Sequence, residues 1–397
     1  MKRSRIEVTG PLAGYAAGFQ AELRRLGYTA SPAKKHHYLV AHLSDWLDEH
    51  CLDVVEVATS GVEPFFAARR AAGVANLRTR AALAPLIAYL RGLGVVPAAE
   101  SPVPSSAAER VLAGFRTYLR HERGLVEGTM RFYAHIAGRF VSERSRDGDV
   151  DLSGLRASDV TAFTTRVCDG RGLSSCRQAV AALRSFLRFL ALEGVAAVGL
   201  DDAVLSVAGW NPSLPRAISS TDVARLLGSC DRRRAIGRRD YAILLLLARL
   251  GLRGGEVVAM ELGDIDWRAG ELMVRGKGRR RDRLPLPAEV GAALAAYLQR
   301  RPPSQSRRLF LRSVAPLVGF AGTGALRGVL QRACARAGLR YVSPHRLRHT
   351  TATEMLRSGA ALAEIGQVLR HRRVLTTAIY ANPRELHQTG ENLQVAC

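Results

Sequence analysis

The chain has 397 residues, 47% of them hydrophobic, and sets 58 lysines and arginines against 35 acids for a formal net charge of +23. That length holds two or three domains with full cores, and the excess charge calls for a polyanionic partner, nucleic acid being the simplest. A GC-rich coding bias would enrich arginine together with alanine and glycine, but it leaves unexplained why acids fail to balance the charge.

No run approaches the roughly 18 apolar residues of a membrane span, and the start MKRSRIEVTG lacks the apolar centre of a signal peptide. The six cysteines are scattered without CxxC pairs, which fits neither a disulfide framework nor a zinc cassette. A cytoplasmic protein with reduced thiols and no membrane partner is expected.

Two proline-rich breaks, Pro97–Ser106 and Gly209–Ser219, divide the chain into segments of about 1–98, 105–198 and 215–397. In the first, apolar periodicity predicts helices over Phe19–Leu26, His36–His50, Val62–Ala72 and Arg78–Gly92. The second predicts helices over Ala107–His121, Val126–Arg144, Ala157–Cys168 and Ser174–Gly194. Both end alike, in AYLRGLGVV and RFLALEGVA, a weak sign of a duplicated four-helix unit.

The third segment opens with helices over Thr221–Cys230 and Tyr241–Leu250. A short sheet over Met260–Asp266, Glu271–Arg275 and Arg283–Leu286 follows, then helices over Ala288–Gln299 and Gly324–Ala337. The expected class is mainly α with a small antiparallel sheet.

The stretch SPHRLRHTTATEMLRSGAALAEIGQVLRHRRVLTTAIY, Ser343 to Tyr380, carries the chemistry. Ser343 followed by Pro344 reads as a helix start, and His345 and Arg348 then share one helical face. Leu362, Ile365, Val368 and Leu369 form an apolar face leading to His371, and Tyr380 follows nine residues later. Two imidazoles, a guanidinium and a phenol that can converge on one phosphate point to DNA strand cleavage. Taken alone, Tyr380 would more often be a core aromatic at a helix end. His345, His349 and His371 resemble part of a zinc site, but the glutamate of zinc hydrolases is missing and Arg348 would repel the cation. His349 reads as a structural hydrogen-bonder.

These residues resemble the tyrosine recombinase (phage integrase) signature of H-x-x-R, a second histidine or tryptophan, and a tyrosine nine residues on. The resemblance extends upstream to LARLGLRGGEVVAMELGDIDW, where Arg253 takes the place of the family's first arginine. It continues in GELMVRGKGRRRDRLPLP, where Lys277 takes that of the hairpin lysine. It implies a catalytic domain preceded by helical DNA-binding domains, residues 105–198 being similar to the SAM-like core-binding domain. The first segment has no clear match and is a second DNA-binding or a protein-contact module.

Lysine usage adds to this, since Lys2, Lys34, Lys35 and Lys277 are the only lysines among 58 basic residues. Arginine is effectively always protonated, whereas lysine can release a proton to a departing oxygen, so a general acid at Lys277 is favoured. Arg253 and Arg348 can fork onto non-bridging phosphate oxygens, and Tyr380 is the expected nucleophile of a 3′-phosphotyrosine link. His345 accepts the tyrosine proton or hydrogen-bonds the phosphorane, and His371 donates to a non-bridging oxygen. Glu256 orients Arg253 or caps the local turn.

No cofactor or metal is called for, because no carboxylate cluster accompanies the motif. Arg131, Arg171, Arg177 and Arg184 are candidate phosphate contacts or plain solvated charges, and the Arg279, Arg280 and Arg281 run is a hairpin-tip phosphate contact or a solvated tip. Where the family carries glycine before the second histidine, this chain has Arg370. At a positive φ that arginine would strain the turn; otherwise it adds a phosphate contact.

The resemblance implies an integrase or transposase of a mobile element, acting on double-stranded DNA as a homotetramer on paired sites, with accessory DNA-bending proteins as optional partners. The tail Ala381–Cys397, with Leu386, Leu393 and Val395, would pack on a neighbouring subunit. A type IB topoisomerase, or an architectural or regulatory DNA-binding protein with a decayed site, are the alternatives.

Overall fold

The computed structural model describes residues 7–98, 104, 106–146, 149–207, 217–276 and 281–370. They divide into two compact units. One is Ala99–Pro212, and the other joins the first 98 residues to those from Ser213 onward.

The smaller unit is four helices, α5 (Ala107–His121), α6 (Glu127–Arg144), α7 (Ala157–Cys168) and α8 (Leu173–Leu192), with a ribbon of β1 (Ser145–Arg146) and β2 (Asp149–Val150) between α6 and α7. A Ser106–Glu109 capping box starts α5, each side chain meeting the other's backbone N–H. Phenylalanines on all four helices meet in the centre. Phe115 contacts Phe186 and Phe140 contacts Phe163, both edge-on with ring centroids 5.0 Å apart.

In the larger unit, α1 (Ala13–Arg25), α2 (Ala30–Glu49), α3 (Glu63–Ala71) and α4 (Ala84–Gly92) enclose their own core, centred on Phe19, Leu43 and Phe66. The alike endings of the two helical segments have a local cause. Gly94 and Gly194 both adopt positive φ, and the amides of Val95 and Val195 donate to the carbonyls of Leu90 and Leu190 at 3.0 and 2.9 Å. Both are glycine-closed helix ends of one common type, which accounts for the similar wording without requiring a duplication.

The first segment touches the rest of its unit at Leu26 and Gly27. The Leu317 amide donates to the Leu26 carbonyl at 2.8 Å, and the Leu317 side chain fills the space above Gly27, which has φ +82°.

From 217 onward the elements are α9 (Ser220–Gly228), α10 (Ala235–Arg249), α11 (Gly254–Ala259), β3 (Ile265–Asp266), β4 (Glu271–Arg275), β5 (Arg281–Pro285), α12 (Ala288–Leu298), α13 (Thr323–Arg336), α14 (Pro344–Arg357) and α15 (Leu362–Leu369). The three strands form an antiparallel sheet in order β3-β4-β5, in which Arg275 lies opposite Arg281 and Leu272 opposite Leu284. Helix α10 is the central post: Ala242 through Leu247 are all fully buried. Among the described residues no helix is long and apolar enough to cross a membrane.

Helices α1 and α2 begin at Ala13 and Ala30, each six residues ahead of expectation, and two elements after residue 217 also differ. Helix α10 begins at Ala235, six residues ahead of the apolar run, because Arg239 and Asp240 pair with each other inside the protein at 2.7 Å. Arg239 also donates to the Leu311 carbonyl at 2.7 Å. Charged letters there conceal a buried helical turn. The expected strand from Met260 shrinks to Ile265–Asp266, because Asp264 turns back to accept from the Glu261 amide at 2.8 Å and winds Leu262–Asp264 into a 3₁₀ turn.

Gly237 lies in the first turn of α10 against the carbonyl of Asp231. Alanine is the better helix former by about 1 kcal/mol, yet its Cβ would overlap that backbone oxygen, and overpacking of this kind costs about 1–3 kcal/mol. Gly237→Ala is therefore expected to lower the thermal melting temperature followed by circular dichroism. An unchanged or raised melting temperature would show that the Asp231 turn yields freely.

Candidate active site

The site is built where α10, α11, α14 and α15 meet. Helix α10 ends at Arg249, and Gly251 turns the chain with φ +56°. A Cβ on Gly251 would lie 2.7 Å from the Leu369 side chain and 3.7 Å from Cγ of Arg348. A glycine here allows α15 and the Arg348 side chain to close against the turn. Arg253, two residues on, is the N-cap of α11 and has extended backbone.

Helix α14 starts as its sequence dictates: the Ser343 hydroxyl accepts from the Arg346 amide at 3.2 Å and Pro344 occupies the first turn. Thr351 donates to the Ala248 carbonyl at 2.9 Å, and Thr350 accepts from the Ile218 amide at 3.1 Å. Those two hydroxyls fix the rotation of α14, one against α10 and the other against the chain entering α9. The rotation turns His345 outward and Arg348 inward.

Arg348 is 2% exposed, the largest fully buried side chain among the described residues. Its Nη1 donates to the Gly251 carbonyl at 2.6 Å and its Nη2 to the Leu369 carbonyl. The guanidinium is thus fixed between the turn before Arg253 and the end of α15, with a closed position rather than a free fork. Arg253 is the open one, its side chain 47% exposed.

Glu256 joins these parts. Its Oε1 accepts from Nη1 of Arg253 at 2.9 Å, and its Oε2 accepts from the Arg253 amide and from Nη2 of Arg370, both at 2.8 Å. The two expected roles of Glu256, orienting Arg253 and capping the turn, are both filled by one carboxylate.

His345 lies at the surface with its ring edge-on to His349, centroids 4.6 Å apart. Burial, then the charges of Arg348 and Arg253, hold the His345 imidazole below its ordinary pKa. Both arginines lie close enough to His345 for their charges to bear on its ring. His349, buried beneath, is pulled down to about 4 by burial first and then by His345 and Arg348. Both rings are neutral near pH 7.

Arg370 follows the first of its two alternatives and not the second. It has φ +55° and ψ +51°, the left-handed conformation that costs a non-glycine residue about 1–2 kcal/mol. Its side chain is not a surface phosphate contact: it is 5% exposed and ion-paired with the 4% exposed Glu256. Sequence reading flagged the position as a departure from glycine but not the partner, because the two residues are 114 apart and only the fold brings them together.

Of the remaining sequence-derived residues, Lys277, Arg279, Arg280, His371 and Tyr380 lie outside the described residues. Their flanks are described. The hairpin that carries Lys277 is braced by Arg275, whose Nη2 meets Asp264 at 2.7 Å and Glu261 at 3.0 Å, and Arg281 is exposed at the start of β5.

In the smaller unit Arg131 and Arg171 are exposed. Arg177 is also exposed, and its Nε reaches the Val207 carbonyl at 3.4 Å. Arg184 is half-buried and donates to the Val204 carbonyl at 2.9 Å and the Ser206 hydroxyl at 3.1 Å, so it ties down the chain that follows α8.

Residues 216–387 match the phage integrase family. An integrase/recombinase of Sinorhizobium fredii, y4rA, is 41% identical over 94% of this chain and 91% of its own length. The chain belongs to the phage integrase family. A tyrosine recombinase XerD of Mycobacterium tuberculosis is 34% identical over 68% of this chain and 91% of its own. Among solved structures, a lambda integrase dimer bound to a core site superimposes with TM-score 0.53 at 15% identity, covering 72% of this chain and 99% of that one. The XerH site-specific recombinase bound to its difH substrate also gives 0.53, at 17% identity and over 74% and 98% of the chains. At those identities the likeness is one of fold. This phage integrase family member is a tyrosine-type site-specific recombinase, with its catalytic domain in the C-terminal half.

The neutral histidine pair gives the recombinase a pH signature. In the unfolded chain His349 protonates near 6.5, whereas in the fold it does so only near 4. Between those values the unfolded state binds more protons, so stability is intact above about 6.5 and falls as pH drops toward 4. His345 acts in the same direction. Melting temperatures measured across that window should fall steeply for the wild type and less steeply for His349→Gln; parallel slopes would remove His349 from the effect.

Proposed function

We propose that this recombinase cleaves and rejoins double-stranded DNA through Tyr380. The phenol oxygen attacks the scissile phosphorus, the bond from phosphorus to the 5′ oxygen breaks, and a 3′-phosphotyrosine link forms. The link conserves the energy of the broken ester, so the 5′ hydroxyl of a second strand reverses the step without ATP. The observation that carries the reading is the gathering of Arg253, held by Glu256, and Arg348 near His345, on whose ring both charges bear.

Each residue then has a role. Arg253, open to solvent and held by Glu256 through one Nη, engages the non-bridging oxygens as charge builds on the phosphorane. Arg348 supplies a positive charge of fixed position, since two backbone carbonyls hold it in place. His345, neutral at physiological pH, accepts the phenol proton. Lys277 protonates the departing 5′ oxygen, and His371 donates to a non-bridging oxygen. Cations supplied by side chains do the work that a metal does in other phosphoryl-transfer enzymes.

The lambda integrase and XerH structures are complexes with DNA, and the lambda one is a dimer on a core site. By analogy this chain binds duplex DNA and assembles on paired sites as a tetramer, with the tail from Ala381 packing on a neighbour. Integration or transposition of a mobile element is the reading that fits its similarity to y4rA. The smaller unit would contribute Arg131, Arg171 and Arg177 to phosphates, whereas Arg184 is engaged within the fold.

Incubation with a nicked duplex drawn from inverted repeats beside the encoding gene should yield a denaturant-stable protein–DNA adduct. Tyr380→Phe should abolish it while DNA binding persists, and an adduct that survives the substitution would exclude Tyr380 as nucleophile. Lys277→Arg should slow cleavage about 10²-fold or more, the usual scale of one general acid. A 5′-phosphorothiolate substrate, whose sulfur leaves without a proton, should restore the rate; failure to restore it removes Lys277 from the acid role.

A further inference from the structure

A single buried carboxylate, Glu256, is shared by two arginines with different tasks. Its Oε1 holds the Arg253 guanidinium, while its Oε2 takes the Arg253 amide and Nη2 of Arg370. Arg370 is the residue that ends α15, immediately before His371, and it holds a left-handed backbone conformation although it has a side chain. A glycine would satisfy that backbone at no steric cost. An arginine there accepts strain, and what it gains is a buried ion pair with an acid 114 residues away.

The geometry of the carboxylate decides what the pair does. Glu256 can rotate about its last bond unless both oxygens are engaged. The Arg253 amide holds Oε2 from the α11 side and Nη2 of Arg370 holds it from the α15 side, so the two together fix the carboxylate plane in which Oε1 faces Nη1 of Arg253. The Arg370 contact also ties the end of α15 to the start of α11. Arg348 spans the same gap separately, from the Gly251 carbonyl to the Leu369 carbonyl, so the end of α15 is held twice.

We infer that Arg370 is a positioning residue for strand cleavage: through Glu256 it orients Arg253 toward the scissile phosphate. The inference rests on the reading of Arg253 as a phosphate-binding group. It replaces the sequence-based expectation that Arg370 itself contacts DNA.

The test uses the full-length chain and the nicked inverted-repeat duplex. Arg370→Gly and Arg370→Asn both suit a left-handed turn but lose the ion pair; Glu256 keeps its two bonds to Arg253, so both variants should fold, with melting temperatures lowered because a buried carboxylate loses one partner. Arg370→Lys keeps the charge. If Arg370 aims Arg253, the slope of log affinity against log salt should fall by about 0.9, one phosphate contact, in the glycine and asparagine variants. It should fall equally in Arg253→Ala and no further in the Arg253→Ala, Arg370→Gly double variant. The rate of adduct formation at saturating DNA should drop at least about tenfold in the glycine and asparagine variants, with Arg370→Lys in between. A wild-type slope or a wild-type rate in Arg370→Gly overturns the inference, as do additive losses in the double variant. Should the wild-type chain form no adduct at all, the Tyr380 reading falls, and the salt slopes alone decide whether Arg370 acts through Arg253.

Discussion

The site depends on one carboxylate taken out of water. Glu256 is 5% exposed, and an isolated carboxylate at that depth would be costly to keep ionised. Three N–H donors from Arg253 and Arg370 make its burial tolerable. In a chain with a net charge of +23, that anion allows two guanidiniums to stand close together without driving the turn apart. The start of α11, the orientation of Arg253 and the end of α15 all follow from it.

Arg348 is held by a different device. Its Gly251 and Leu369 partners are carbonyl dipoles, which fix a guanidinium in place without cancelling its full charge. That suits a site whose expected ligand is an anion. The histidine pair completes the pattern. Burial and neighbouring arginines keep both rings uncharged near neutrality, so the pocket's positive charge comes from groups that do not titrate in the physiological range.

Much of this was written in the sequence, because it is local. The Ser343-Pro344 cap, the three-residue spacing of His345 and Arg348, and the apolar face of α15 are all set by neighbours within one or two turns. What escaped the sequence was non-local. The first turns of α10 contain GRRD, which reads as solvent-facing until Arg239 and Asp240 are found paired in the interior. Met260 to Asp264 has strand-like letters, and a side-chain bond from Asp264 overrides them. Arg370 could be recognised as an unusual residue, but its meaning depended on Glu256, more than a hundred residues upstream.

The contact between Leu317 and the Leu26–Gly27 turn gives the first segment a role that does not involve chemistry. Leu317 gives its amide to the Leu26 carbonyl and rests its side chain on Gly27, beside a cleft of about 410 Å³ lined by Tyr28, Pro32, Ile236 and Tyr297. A polypeptide trimmed of its first 98 residues would lose that lid. The uncovered leucine, with Ile236 and Tyr297 beside it, would then form a sticky strip, and such a shortened protein would tend to clump with its own copies before it ever met DNA.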